Sequence, residues 1–423
     1  MKSLRLLPLL VLYTGLALAQ ETNEEPKFHL DVIASLRGVM ASGSVSWLQG
    51  GLEPLESSGP NDHRAFLSRE SLQLGGDWKP SRHFDAHFHL LARDEGPGAL
   101  GNHFGVPEAY VDYRPLTGPK NDLQIRAGMF FLPTSRENVG PLWSSPYTIS
   151  YSALNTWIGQ EVRPVGVDLS WRHTAESGDR VTFAATAFGR NDTMGTLLAW
   201  RGWSLGDHLA VYREVLPLPI SSLRNHFPEQ RVDGTRPFQH DLDGNIGWSG
   251  RGRWQFRDQA TVQFTHVDNR GTGEFYPDPS AVSGQWAWHT RFFIAGGEWT
   301  PDPVTTFATE YSWGRTSLYN EGQGLQYVNM GYYAGYLLAS RRIGLNRVSF
   351  RFDQFGTDDR ATARIITSNE HGAAWTFSYF RILSSTVRVG LEFVSVHGNR
   401  IAEPGVDPTV EGDNLILEVR RTF

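Results

Sequence analysis

Apolar and polar residues alternate with a period of two through most of the chain. Phe84, Ala86, Phe88, Leu90 and Ala92 interleave with Asp85, His87, His89 and Arg93. Leu123, Ile125, Ala127 and Met129 interleave with Gln124, Arg126 and Gly128, and Val387, Val389, Leu391 and Phe393 with Arg388, Gly390 and Glu392. Successive side chains of a strand point to opposite faces, so each such segment predicts a strand with one apolar and one polar face. The pattern predicts about sixteen strands, over 28–40, 64–78, 83–93, 107–116, 122–131, 164–174, 180–190, 244–256, 260–267, 286–299, 304–313, 326–340, 346–355, 371–382, 386–395 and 414–423.

Soluble antiparallel sheets alternate too, so the connections decide. Short turns at 79–81, 117–121, 175–179, 257–259, 300–303, 341–346 and 383–385 take turns with longer stretches at 49–62, 94–107, 132–164, 191–243, 268–285, 314–325, 356–370 and 396–413. Short turns at one end and long loops at the other, with an even strand count, describe a transmembrane antiparallel β-barrel. Sixteen strands enclose a water-filled lumen, since about eight already fill a barrel with side chains. Trp47, Trp78, Trp171, Trp248, Trp254, Trp286, Trp299 and Trp313 fall near predicted strand ends, where aromatic girdles form at a membrane interface. The chain ends on Asn-Leu-Ile-Leu-Glu-Val-Arg-Arg-Thr-Phe, an amphipathic strand closed by Phe423.

Residues 1–19 carry Lys2 and Arg5, an apolar run from Leu6 to Leu18, and small residues around Ala17-Leu18-Ala19. That layout is an export signal cleaved before Gln20. The expected division is a signal peptide at 1–19, a short periplasmic leader at 20–27 and an outer-membrane barrel at 28–423. After the signal, no stretch reaches the roughly 18 apolar residues of a spanning helix. Cys is absent, which excludes a disulfide-stapled extracellular fold. The formal net charge is −6, and the basic groups are nearly all Arg, with Lys only at positions 2, 27, 79 and 120. Nothing in that balance points to a nucleic-acid partner.

The stretch Arg126-Ala127-Gly128-Met129-Phe130-Phe131-Leu132-Pro133-Thr134-Ser135-Arg136-Glu137-Asn138, the return Arg163-Pro164-Val165-Gly166-Val167, and Phe350-Arg351-Phe352-Asp353-Gln354-Phe355 with Asp358-Asp359 resemble the phosphate-selective porin O and P family and its wider superfamily of sixteen-stranded porins. The resemblance implies that the third outer loop, 132–164, folds into the barrel and narrows it. It also implies a homotrimer, and an assembly machinery that recognises the terminal strand and Phe423. That family's phosphate selectivity is associated with an arginine ladder and lysine clusters, and the near absence of Lys departs from that pattern.

Strand parity places Arg69, Arg93, Arg114, Arg126, Arg172, Arg251, Arg253, Arg347, Arg351, Arg388 and Arg420 on polar faces, together with Asp85, Glu108, Asp112, Asp168, Glu298, Glu310, Asp353, Glu392 and Glu418. Rings of charge set ion preference, and the planar guanidinium fork suits oxyanions. The candidate constriction is Arg126, Arg136, Glu137, Glu161 and Arg163, faced by Arg93 and Arg114. Arg69, Arg172, Arg347, Arg351, Asp353 and Arg388 are the other lumen-facing candidates. The expected function is passive diffusion of small hydrophilic solutes or ions, with an anion preference, across a lipid outer membrane. No cofactor is implied. A closed barrel serving as adhesin or scaffold is one alternative, distinguished by silence in conductance measurements. An outer-membrane hydrolase is another, but no Gly-x-Ser-x-Gly motif is present. His83, Asp85, His87 and His89 share a strand face as possible metal ligands, without a second cluster to complete a site.

Overall fold

A computed structural model of the protein describes residues 27–57, 65–95, 101–218, 220, 223, 227, 234–279, 281–282, 284–320, 324–361, 369–401 and 408–423. The expected signal peptide and, apart from Lys27, the leader lie outside the described residues.

Sixteen strands close into one antiparallel barrel. They are β1 Lys27–Ala41, β2 Ala65–Ser81, β3 Phe84–Asp94, β4 Phe104–Thr117, β5 Asn121–Met129, β6 Val165–Thr174, β7 Arg180–Gly189, β8 Gly247–Phe256, β9 Ala260–Asp268, β10 His289–Asp302, β11 Thr305–Asn320, β12 Leu325–Ile343, β13 Asn346–Asp359, β14 Asn369–Ile382, β15 Val387–Ile401 and β16 Thr409–Thr422. Each pairs with its sequence neighbours, and β16 returns to β1 with Arg37 opposite Glu418 and Ala41 opposite Asn414. Phe423 finishes the seam: its amide donates to the Val32 carbonyl at 3.0 Å, and its carbonyl accepts from the Val32 amide at 3.3 Å. Closure leaves no strand edge unpaired, which is the condition for a sheet to cross a bilayer.

The two faces differ as the alternation predicts. On β16, Leu415, Leu417 and Val419 are 39%, 53% and 45% exposed, whereas the intervening Glu418 and Arg420 are buried. Trp78, Trp171, Trp254 and Trp299 are likewise exposed on the outer face. An outer surface this apolar all the way round suits lipid rather than water.

Three details depart from the sequence expectation. Residues 314–325 are not a long loop, because β11 and β12 run on to Asn320 and Leu325. Trp47 and Trp286 are not girdle residues: both are buried, because Trp47 sits in the first long connection and Trp286 in a two-stranded ladder with Phe275. Finally, the third and fourth long connections carry two short helices, α1 Ala153–Glu161 and α2 Thr196–Trp200, that the period-two pattern did not reveal. Ser152 caps α1 by accepting from the Asn155 amide at 3.2 Å, and every residue of the helix is buried.

The chain leaves the wall for the third connection at a pair of glycines. Gly128 has φ +138°, and a Cβ there would stand 2.4 Å from the Ala109 carbonyl oxygen. Its register partner Gly166 would place a Cβ 2.1 Å from the Ala187 carbonyl oxygen. Only glycine fits such a close backbone approach.

Candidate functional site

The inner face divides along the barrel axis. Towards the long connections it is apolar: Phe188, Val267, Phe292, Tyr332, Phe355, Val394 and Val396 pack with Leu154, Trp157 and Ile158 of α1 and with Trp203 and Leu205 of the fourth connection. Trp157 meets Phe292, Tyr332 and Trp203 edge-on at centroid distances of 5.0, 5.4 and 5.9 Å. Towards the short turns the face is polar. There a cavity of about 230 Å³ is lined by Arg126, Arg172, Arg251 and Arg253, with Asp122, Asp168, Ser170 and several Gln side chains.

The arginines of this vestibule are held in place by neighbouring strands. Arg126 forms a bidentate pair with Asp112 at 2.8 and 2.9 Å, its guanidinium 3.9 Å from the centre of the Tyr110 ring. Arg251 pairs with Asp168 at 2.7 Å and Arg172 with Asp122 at 2.8 Å, while Arg114 pairs with Asp85. Arg253 donates instead to Gln263 Oε1 at 2.8 Å and to the Pro133 carbonyl at 2.5 Å. Of these four guanidinium groups, Arg126, Arg172 and Arg251 are each paired with a carboxylate, and Arg253 has no salt-bridge partner among the described residues.

On the facing wall, carboxylates anchor the third connection. Glu392 accepts from the amides of Ile149 and Ser150 at 2.6 and 2.8 Å, Asp353 from Ala153 at 3.1 Å, and Glu310 from the Asn155 side chain at 3.0 Å. Backbone and side-chain amides of the connection thus supply hydrogen bonds to these buried carboxylates. Arg351, fully buried, donates to Glu137 at 2.5 Å, to Asp353 at 2.7 Å and to the carbonyls of Ser150 and Tyr151.

The constriction candidates therefore separate into two groups. Arg126 and Arg114 stand on the polar wall of the turn-side half. Glu137, Glu161 and Arg163 are fully buried, bonded within the connections and, through Arg351 and Pro107, to the wall. Glu161 receives the amides of Gly195 and Leu197 and the Trp157 ring N–H, so it caps α2 from the end of α1. Burial pushes its carboxyl up to about 7 against these three hydrogen bonds. Arg163 donates to the carbonyls of Pro107, Gly159 and Ala210 and stacks 3.7 Å over Phe131. Arg136 is also buried. Arg93 reaches the fourth connection, pairing with Glu214 at 2.6 Å.

Of the remaining lumen candidates, Arg69 contacts Glu56 and Glu95 at 3.3 and 3.1 Å. Arg388 contacts Glu418 at 3.3 Å. Arg347 donates to Ser340 at 2.9 Å beneath the Tyr147 ring. The histidine row of β3 does not converge: His87 bonds Asp77, His89 bonds Gln73 and His83 bonds the Arg114 carbonyl. Among the described residues the one grouping with metal-ligand spacing is Asp192, Asp241 and Asp243 in the fourth connection.

Sequence reasoning missed a charged lattice on the β1–β3 wall. Arg37 pairs with Asp207 at 2.7 Å and with Glu418 at 3.0 Å. His208 bridges Glu95 at 2.8 Å and Glu214 at 3.1 Å. Burial and Arg93 pull the imidazole down, but Glu95 and Glu214 together outweigh them and hold it at about 9. Glu214 is correspondingly held at about 2 by Arg93 and His208, against its burial. Arg37 was accessible to parity, since it shares a face with Ser35 and Val39; the loop partners carried no signal.

No family model matches the chain, and no curated protein does. Solved structures do match in shape. The outer membrane channel DcaP of Acinetobacter baumannii has a TM-score of 0.55 at 9% identity, over 95% of this chain and 99% of that one. The fold is porin-like. An anion-selective porin from Comamonas acidovorans has a TM-score of 0.51 at 11% identity, over 94% and 100% of the two chains. The trimer form of in-vitro folded OmpT, an outer membrane protein of Vibrio cholerae, has 0.51 at 9% identity, over 95% and 100%. At such low identity the likeness speaks for the barrel and not for the bore's chemistry.

Proposed function

We propose that the protein is an outer-membrane porin, exported through a cleaved signal, that passes small hydrophilic solutes by diffusion and prefers anions. The observation that carries this reading is the closed sixteen-stranded wall, apolar outside and charged within. The anion preference rests on the vestibule, where Arg253 stands without a carboxylate partner beside the paired Arg126, Arg172 and Arg251, while acids of the facing wall are engaged by the third connection. In this reading the third connection narrows the lumen, with Glu137, Glu161 and Arg163 holding its shape rather than touching solute. Two proteins of similar fold, an anion-selective porin and OmpT in its trimer form, favour an anion preference and a homotrimer here. Transport by diffusion needs no cofactor and no catalytic group.

Planar-bilayer recording under a salt gradient tests the reading. The wild-type channel should show an anion-side reversal potential, and Arg126→Ala with Arg253→Ala should move it towards cations. A second reading, a closed barrel serving as a scaffold, is favoured by the apolar packing that fills the half of the bore near the long connections. A folded barrel that never conducts would establish that reading instead.

A further inference from the structure

The outer wall is predominantly apolar, so a pair of cations on it stands out. Arg291 of β10 and Arg315 of β11 are register partners on the outward face, two residues nearer the long connections than the pair Phe293 and Trp313. Arg291 is exposed and Arg315 half-buried. Like charges directly opposite each other in an antiparallel pair are destabilising. Neither guanidinium has a salt-bridge partner among the described residues. Arg315 donates to Asn329 Oδ1. Asp268, the other register partner of Arg291, is engaged by His289 at 3.4 Å and by the Arg270 amide at 2.8 Å.

Next to the arginines, on the short-turn side, the wall carries a plate of rings. Phe293 and Trp313 stack with centroids 5.4 Å apart, and His266 and Phe264 lie 4.5 and 5.6 Å from Phe293. Tyr311 continues the plate, 5.8 Å from Trp313 and 6.3 Å from Tyr333. Phe264, Tyr311 and Trp313 remain 46%, 47% and 37% exposed. Trp299, at the short-turn end of β10, is about 26 Å of strand from Arg291, or about 20 Å of height after strand tilt, against an apolar band about 25 Å tall. The long arginine stems make up the difference, so the guanidinium groups reach the headgroup layer at the loop end.

We propose that the outer face of β9–β12 holds a lipid with a phosphate monoester headgroup, bound between Arg291 and Arg315. This rests on the outer-membrane reading. Each guanidinium fork offers paired N–H donors that match phosphate oxygens. A monoester leaves enough free oxygens for both arginines at once, whereas the choline of a zwitterionic lipid opposes them. The anion removes the repulsion between the two cations, and its acyl chains lie along the exposed rings. A free anion would meet the arginines but leave the rings uncovered.

The test reconstitutes the barrel in vesicles of equimolar phosphatidylcholine and phosphatidic acid, extracts it into mild detergent and counts the retained lipids by native mass spectrometry. Wild type should retain phosphatidic acid over phosphatidylcholine by on the order of tenfold, given what two arginines contribute near charged headgroups. The double variant Arg291→Gln, Arg315→Gln, confirmed as folded by heat-shifted gel migration, should bring the ratio near parity. Arg381→Gln, at the short-turn end of β14, should not. Excess inorganic phosphate should leave the wild-type ratio unchanged; a collapse would assign the pair to the free anion and overturn the lipid site. Equal ratios in wild type and double variant would overturn it too, with the porin reading intact because neither arginine faces the lumen. A double variant that turns from oligomer to monomer with its lipid unchanged would make this face a subunit contact instead. A barrel that fails to float with the vesicles would overturn the membrane reading itself.

Discussion

His208 shows how much a single residue of this barrel depends on distant partners. Its ring touches Glu95, which follows β3, and Glu214, six residues further along its own connection. Arg93 of β3 adjoins both carboxylates, and Glu56 binds its backbone amide. Because the folded-state value of about 9 lies above the ordinary 6.5, protonated His208 stabilises the fold fully below pH 6.5. That contribution, on the order of 3 kcal/mol, is lost as pH rises through 9. Thermal unfolding in detergent should therefore show a stability loss between pH 7 and 10 that is reduced in His208→Gln. Arg351 behaves differently, since its guanidinium is always charged. Arg351→Met leaves Glu137 and Asp353 buried without their cation and should cost about 3–5 kcal/mol, read as a lower denaturant midpoint. Adding Glu137→Gln should recover part of that loss.

Strands were legible in the sequence because a strand half in lipid and half in a polar interior must alternate, and a shift of one residue would invert every side chain. The positions of Arg126, Arg172, Arg251, Arg253 and Arg351 on the inner face follow from that parity. Helix α1 was not legible: its apolar Leu154, Trp157 and Ile158 have i, i+3, i+4 spacing, but nine residues inside a long connection give too short a period to stand out. The last strand is a special case, since its end closes the barrel through the Val32–Phe423 hydrogen-bond pair and the Arg421 guanidinium stacks 4.3 Å over the terminal ring. Deleting Phe423 should impair insertion into membranes more than it alters the conductance of the molecules that do insert. Normal insertion with changed selectivity would place Phe423 in the pore's chemistry instead.

At the scale of the whole molecule, the barrel wall and its contents obey different rules. Alternation, turn lengths and the terminal strand determined the wall, including its closure and the faces of its charged residues, because those properties are local in sequence. Tertiary structure alone decided what occupies the bore. Whether an inward arginine faces an open cavity, as Arg253 does, or a loop carboxylate, as Arg37 and Arg93 do, depends on where connections dozens of residues long come to rest. Those connections are placed by pairings between residues more than a hundred positions apart, such as Arg37 with Asp207 and Glu392 with Ile149. Such pairings have no period along the chain, so only the folded barrel brings them together.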